Sequence, residues 1–538
     1  MMKRPVPQEV CVADGSRITK ASLSGIFLKG LRVIKSVAFR FRALARFRKI
    51  EPEGLVYVIE TDLSKPFVVG KGGVFHLAGR CYHPYRKIRK LNVLANGIPY
   101  RVFNHTLARA DVLRQPIPPV DRVGNSLVSG FWIPLTFAEI DKASQIDLAL
   151  QAFLDNGECY TVQIGTLDLL PGQPELPDSS PNDRQCSGDE PLVAICMATF
   201  NPPLELFIAQ IKSIIEQNHK NWICVINDDC SPQNVYDQIL KVVSEDKRFK
   251  VSRNSERLGF YHNFERCLER VSASANFVAF SDQDDLWYPE KISSCLEAFE
   301  TDTALAYCDM DIVTRNGEII SHTYWTTRKN NYTDFTTLLF ANTVTGAASV
   351  FRASLLRHIL PFPKRIGDSF HDHWVACVAL AVGKIGYVDK PLYAYRQHSN
   401  NVLGHYAPAA MTFFPGFSQL MSWLRSPAGF KVELRSRLWP LNDIYYNDVI
   451  RLILIAKTLQ IRLGSIAVGK QAILKRLAGF ERRVSGLMLE CFKYELLRRP
   501  TLGAEWYCLR GAIGHRLLNL YCSYNRRRLF RQRWGKAA

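Results

Sequence analysis

Residues 276–291 read NFVAFSDQDDLWYPEK and place three carboxylates, Asp282, Asp284 and Asp285, within four consecutive positions. The run Asn276–Ser281 is an apolar strand, and Pro289 suits the first residue of a helix that follows. A core would not tolerate so much unpaired charge, because burying an isolated carboxylate is too costly. The carboxyl end of a strand in an α/β sheet, by contrast, is where ligands bind. Two carboxylates two residues apart can turn toward one divalent cation and leave its remaining positions to substrate phosphates. The ordinary structural alternative is an Asp-rich turn that caps the next helix.

The elements that must position this loop begin at residue 191. Leu192–Ala198 is an apolar strand. Asn201 then serves as cap to a helix opened by Pro202 and Pro203, with Leu204, Phe207, Ile211, Ile214 and Ile215 on its buried face. A second strand, Trp222–Asn227, ends at Asp228–Asp229. A short strand at Phe249–Arg253 follows, then a glycine turn into a helix near Tyr261, then the strand that releases the acidic loop. Strands alternating with helices imply a parallel sheet whose loops gather Thr199, Asp229 and Asp284 at one edge. The chain has neither a G-x-x-x-x-G-K-[ST] loop nor a G-x-G-x-x-G turn, so a diphosphate would lack the usual backbone cradle. A cation at Asp284 could neutralise it instead, and Asp229 could accept hydrogen bonds from a base or ribose. Further on, GDSFHDHW places Asp372 at the start of a helix, Trp374–Ala381, that Gly383 ends. His371 and His373 with His398 could form a zinc site, but they have neither a Cys partner nor an H-E-x-x-H helix. Arg396 could meet phosphate as a fork of donors.

The segments ICMATFNPP, VINDDCSP, NSERLGFYHNF, FSDQDDLWYPEK, TGAASVFR, HDHW and YRQHSNN occur in this order over residues 191–404. Together they resemble family 2 inverting glycosyltransferases of the GT-A fold, in particular rhamnosyltransferase-like enzymes of bacterial surface-polysaccharide assembly. The resemblance covers about two-fifths of the chain, with seven ordered motifs. It implies a nucleoside-diphosphate sugar donor, Mg²⁺ or Mn²⁺, and a hydroxyl acceptor on a glycan or lipid-linked glycan. Among donors it favours dTDP-rhamnose. By the same resemblance Thr199 and Asn201 stand where the first strand meets the nucleotide, and Asp229 binds the base. Arg257, Gly259 and Asn263 line the nucleotide and donor. Asp282 and Asp284 form the D-x-D, with Asp284 the direct metal ligand. Asp285, Trp287 and His371 face donor or acceptor, and Gly346 and Ala347 make the small-residue turn that admits the sugar. Asp372 is the base, and His398 lies near metal and diphosphate. Cys230 departs from the glycine more usual in the D-D-G-S pattern, which puts that turn in question.

Length and charge frame the remainder. A chain of 538 residues with 47% hydrophobic and 22% charged residues is globular and long enough for several domains. The fourteen cysteines are scattered without a C-x-x-C pair and read as reduced thiols of a cytosolic protein. No signal-peptide h-region or membrane-length apolar run is visible. Residues 1–50 read as a tail with a basic amphipathic helix at 25–49. Residues 51–170 read as a β-sandwich-like module with a turn at Asn96–Gly97, residues 171–190 as a linker, and residues 191–404 as the α/β catalytic domain. Residues 405–538 read as basic helices, for example Asn447–Leu463, Gln471–Leu489 and Ala504–Tyr521, with about 23 Lys and Arg against about 7 Asp and Glu.

The net charge of +19 suits anionic lipid, a phosphorylated substrate or nucleic acid. No helix-turn-helix, zinc finger or aromatic RNP pattern supports nucleic acid. The expectation is therefore a cytoplasmic enzyme, peripheral at the inner face of the plasma membrane. A glycan-binding pseudoenzyme is the rival, and the intact Asp284 and Asp372 argue against it.

Overall fold

The computed structural model describes residues 54–109, 121, 123–172, 190–326, 330–397, 440–464, 466–483, 485–496 and 504–534. The N-terminal tail and amphipathic helix, most of the 171–190 linker, and His398 lie outside the described residues. The described residues all belong to one compact unit.

Two sheets come first. One has the order β1 (Val56–Ile59), β3 (Gly73–Tyr82), β7 (Gly130–Phe137), β6 (Asn104–Leu107). The other has the order β2 (Phe67–Val68), β9 (Cys159–Leu170), β8 (Ser144–Leu154), β4 (Ile88–Ala95), β5 (Ile98–Val102). Inward residues of both, among them Leu77, Phe131, Leu91 and Leu150, share one apolar core. β4 and β5 are joined at Asn96–Gly97, where φ is 48° and 79°. These left-handed values are the ones a two-residue hairpin turn demands.

A nine-stranded sheet follows, with β10 (Val193–Thr199), β11 (Trp222–Asp228), β12 (Phe249–Arg253), β13 (Phe277–Ser281), β14 (Leu286–Trp287), β15 (Thr303–Thr314), β16 (Ile319–Ser321), β17 (Ser349–Arg352) and β18 (Lys384–Gln397). The order is β12-β11-β10-β13-β17-β15-β18-β14, with β16 beside β15. The expectation of a mostly parallel sheet needs correcting. Four strand pairs are parallel and four antiparallel: β17 runs back between β13 and β15, β14 runs against β18, and β16 against β15. The part that carries the first loops, β10 to β13, is parallel as expected.

The helices are α1 (Leu204–Ile215), α2 (Gln233–Val243), α3 (Phe260–Leu268), α4 (Lys291–Glu297), α5 (Phe335–Phe340), α6 (Leu356–Ile359) and α7 (His371–Val382). After them come α8 (Ile450–Arg462), α9 (Val468–Ala478), α10 (Ser485–Leu496) and α11 (Ala504–Trp534). Asn201 does not cap α1. Pro203 holds the cap position, and Asn201 sits earlier in the turn at φ 44°. Pro289 likewise precedes α4, whose cap is Glu290. The stretch expected as one helix over Gln471–Leu489 is broken by a 3₁₀ turn at Gly479–Glu481.

The C-terminal helices pack into the core of the nine-stranded sheet. Ile453, Ala456 and Leu459 of α8 share one apolar cluster with Trp374 of α7 and Trp132 of β7. Arg462, at the end of α8, is the joint. Its guanidinium donates to the carbonyls of Gly72 at 2.7 Å, His358 at 2.9 Å, Ile359 at 3.0 Å and Pro361 at 2.7 Å. It also lies over the Trp374 ring, 5.5 Å from its centroid. Burial pulls its pKa down to about 10, so it remains charged at neutral pH. Arg462→Met should cost about 3–5 kcal/mol, because four carbonyls lose the guanidinium at once and, among the described residues, only that of Ile359 keeps another side-chain donor, Trp374 Nε1 at 2.9 Å. Denaturant unfolding checks this, and a midpoint equal to the parent's would remove Arg462 from that role.

Candidate active site

The turn after β11 is built by its own side chains. Asp228 is buried and accepts from the Ser231 amide at 2.9 Å and the Ser231 hydroxyl at 2.5 Å. Asp229 is also buried. Its Oδ1 accepts from the Leu258 amide at 2.7 Å and Asn254 Nδ2 at 3.0 Å, and its Oδ2 from the Gly259 amide at 2.7 Å. Asp229 thereby fixes the loop that opens α3, rather than pointing its carboxylate freely at a base. Cys230 sits between the two constructions at φ 63°. A side chain in this left-handed region costs about 1–2 kcal/mol, which explains why glycine suits the position. Cys230→Gly should raise stability by about 0.5–1 kcal/mol, after the entropy that glycine loses on folding. The denaturant midpoint measures it, and a lower midpoint would contradict this account.

Beneath the edge lies a knot of amides that sequence reading did not anticipate. Asn227 Nδ2 donates to Asn254 at 2.9 Å and to Asn263 at 2.7 Å. Asn263 Nδ2 returns bonds to the carbonyls of Thr199 at 3.2 Å and Asn227 at 3.0 Å. Thr199 and Asn263 are both buried, so they tie β10, β11 and α3 together and do not present side chains to a ligand. Asn201 and Arg257 are exposed at the rim, with the Arg257 guanidinium 3.8 Å from the centroid of the Phe200 ring. Gly259 opens α3 at φ 83°, and a Cβ there would meet Arg365 at 3.1 Å. The run NDD followed by NSERLG was the available signal for Asn227, Asp228 and Asn254.

The acidic loop divides into an outer and an inner set. Asp282 and Asp284 are half-buried, whereas Asp285 and Trp287 are fully buried. β14 pairs antiparallel with Ala394 and Tyr393 of β18, which draws Trp287 into the sheet. In the amide orientation that satisfies its neighbours, Gln210 accepts from Trp287 Nε1 at 3.2 Å and donates to the Asp285 carbonyl at 2.7 Å. Asp285 and Trp287 therefore underlie the site instead of facing an acceptor. Burial, then the charges of Asp282 and Asp284, push the Asp285 carboxyl well up. Lys291, fully buried with its Nζ 3.3 Å from the Trp287 ring centroid, is the counter-charge below. Gln283 fastens the loop to β10's turn by accepting from the Phe200 amide at 2.8 Å.

The second acidic motif comes to the same place. Burial first, then Asp284 and Asp372, push the Asp282 carboxyl up to about 7, so Asp372 lies within electrostatic reach of the D-x-D. Asp372 is in the first turn of α7, whose cap is Phe370. Its Oδ2 accepts from the Gly346 amide at 3.0 Å and its Oδ1 from the His373 amide at 2.6 Å. Gly346 must be glycine, because a Cβ would meet His371 Nε2 at 2.8 Å and Asp372 Cβ at 3.3 Å. Ala347 is buried in the same turn.

His371 does not reach an acceptor. Its ring stacks on Phe264 at 3.7 Å and meets Phe280 edge-on at 4.7 Å, and burial pulls its pKa down to about 3. Arg396 is half-buried near the end of β18. Among the described residues no three His, Cys, Asp or Glu converge as a closed metal site. Asp282 and Asp284 nevertheless fit a hard divalent cation. They are oxygen donors, with Asp284 close enough to raise the proton affinity of Asp282, and substrate phosphates complete such sites.

Residues 194–360 match the family model described as glycosyl transferase family 2. This domain is thus similar to that family. A glycosyltransferase of Methanocaldococcus jannaschii is 24% identical over 195 residues, 36% of this chain and 66% of its own length. The dTDP-rhamnosyl transferase RfbG of Shigella flexneri is 28% identical over 235 residues, 39% of this chain and 73% of its own length. The chain thus spans about two-thirds of these relatives. Among solved structures, S. aureus TarS 1–349 in complex with UDP-GlcNAc is 15% identical with a TM-score of 0.35, covering 62% of this chain and 92% of that one.

Proposed function

We propose that the protein is an inverting glycosyltransferase of cell-surface polysaccharide assembly, moving a sugar from a nucleoside diphosphate to a hydroxyl of a growing glycan. The observation that carries this reading is the meeting of Asp282 and Asp284 with Asp372 at one sheet edge, the last with both oxygens aimed by backbone amides. Asp372 takes the acceptor's proton as the hydroxyl oxygen bonds to the anomeric carbon. The bond from that carbon to the diphosphate breaks, and its electron pair leaves on the phosphate oxygen. One displacement, on the face opposite the diphosphate, inverts the centre. Asp284, assisted by Asp282, would hold Mg²⁺ or Mn²⁺, which when bound neutralises the departing charge.

Arg257 at the rim and Arg396 at the end of β18 supply further positive charge for the donor. Residues 51–170 are a sandwich-like accessory module, and the acceptor is a lipid-linked glycan reached at the inner face of the plasma membrane. RfbG's name makes dTDP-rhamnose the first donor to try. The test is a donor screen with Mn²⁺ that reads release of nucleoside diphosphate. Turnover of one sugar nucleotide supports the reading, and binding of glycans without turnover of any donor would favour a pseudoenzyme.

A further inference from the structure

α11 has two unlike faces. Its inner face is anchored: Leu518 and Cys522 pack on Ala108 and Val128, His515 stacks on Tyr445 at 3.7 Å, and Asn519 accepts from the Ala108 amide at 2.7 Å. Gly514 lets the helix lie close, since a Cβ there would come within 2.4 Å of Leu441. The outer face carries Leu517, Leu520 and Tyr524, which are 48%, 67% and 91% exposed. Steps of three and four residues place them in one stripe along the helix. Arg516, Arg527 and Arg528 beside the stripe are exposed. The helix holds seven arginines against one acid, Glu505, and that acid is buried. Arg516 donates to the Arg482 carbonyl at 3.2 Å, and the Arg482 guanidinium lies 4.1 Å from the centroid of the half-exposed Phe103 ring. The basic, apolar surface thus continues onto the β-rich module.

We propose that this face of α11, the Leu517–Leu520–Tyr524 stripe between Arg516 and Arg527–Arg528, lies on an anionic lipid bilayer. A helix fixed in the fold that shows leucines and a tyrosine among arginines can sink the apolar residues into the headgroup boundary while the guanidiniums meet lipid phosphates. With seven arginines and its one acid buried, the helix has a charge that complements lipid phosphates. The assignment extends the reading of a membrane-held acceptor, but its test needs no substrate. A failed donor screen and a failed docking test are therefore separate results.

The full-length protein is floated with vesicles of phosphatidylglycerol and phosphatidylcholine, and with vesicles of phosphatidylcholine alone. Binding to the anionic vesicles only, weakened by salt, is expected. Arg527→Glu with Arg528→Glu should weaken it by on the order of tenfold or more, and Leu520→Asp with Tyr524→Asp should also weaken it, with unchanged melting because these side chains are exposed. A photoactivatable phosphatidylglycerol should label peptides within residues 510–528. Labelling confined to residues 1–49, equal binding by the variants, or a parent dimer in ultracentrifugation that the Leu520→Asp, Tyr524→Asp variant dissociates would each overturn the assignment.

Discussion

Asp372→Asn is expected to lower kcat by about 10²- to 10⁴-fold, the usual worth of a general base, while donor affinity stays near the parent's. The side chain keeps its size but can no longer take the acceptor's proton. The structure adds a condition that size alone would miss. Both Asp372 oxygens face backbone N–H groups, those of Gly346 and His373. An amide offers only one acceptor oxygen, so its NH₂ must face one of those donors. Some loss of stability should therefore accompany the change, on the order of 1–3 kcal/mol for one unsatisfied group. Melting separates that cost from chemistry, and donor titration separates it from binding. A folded variant that binds donor and turns over near the parent rate would remove Asp372 from the reaction.

Asp284→Ala should take transfer below detection and abolish cation-dependent donor binding. The loop sits at the sheet edge, and removing one carboxylate takes away a ligand without opening the core. Stability should hold or rise at neutral pH, because Asp284 is among the charges that push up Asp282 and Asp285. An ordinary loss-of-fold variant would melt lower, so the direction of the melting shift distinguishes the two causes. Undiminished turnover of the parent in EDTA, together with an active Asp284→Ala, would reject the cation role.

Short-range patterns along the chain specify part of this architecture. The apolar runs at Val193–Thr199, Trp222–Asp228 and Phe277–Ser281 pair as the parallel centre of the sheet, since each is a strand-length apolar run bounded by turn residues. Asn96–Gly97 marked its hairpin because few residues adopt two consecutive left-handed conformations. The acidic run at 282–285 and Asp372 were legible because carboxylates in number need a reason. What the sequence did not hold was direction.

Asp284 and Asp285 are neighbours, yet one is half-buried and the other fully buried. The difference arises because the next two residues pair with a strand more than a hundred positions later. His371 and Asp372 are neighbours too, and Gly346 decides which of them reaches the edge by leaving room for an imidazole beneath its missing Cβ. Asp229 and Asn263 were recognisable as polar residues near the edge, but their partners, Gly259, Asn254 and the Thr199 carbonyl, lie on other elements. Arg462 read as one arginine of a basic helix, and only the packing of three segments around it gives its guanidinium four carbonyls. In each case the residue type fixed which interactions were possible, and long-range contacts chose among them, because burial and hydrogen-bond partnership are properties of neighbours in space.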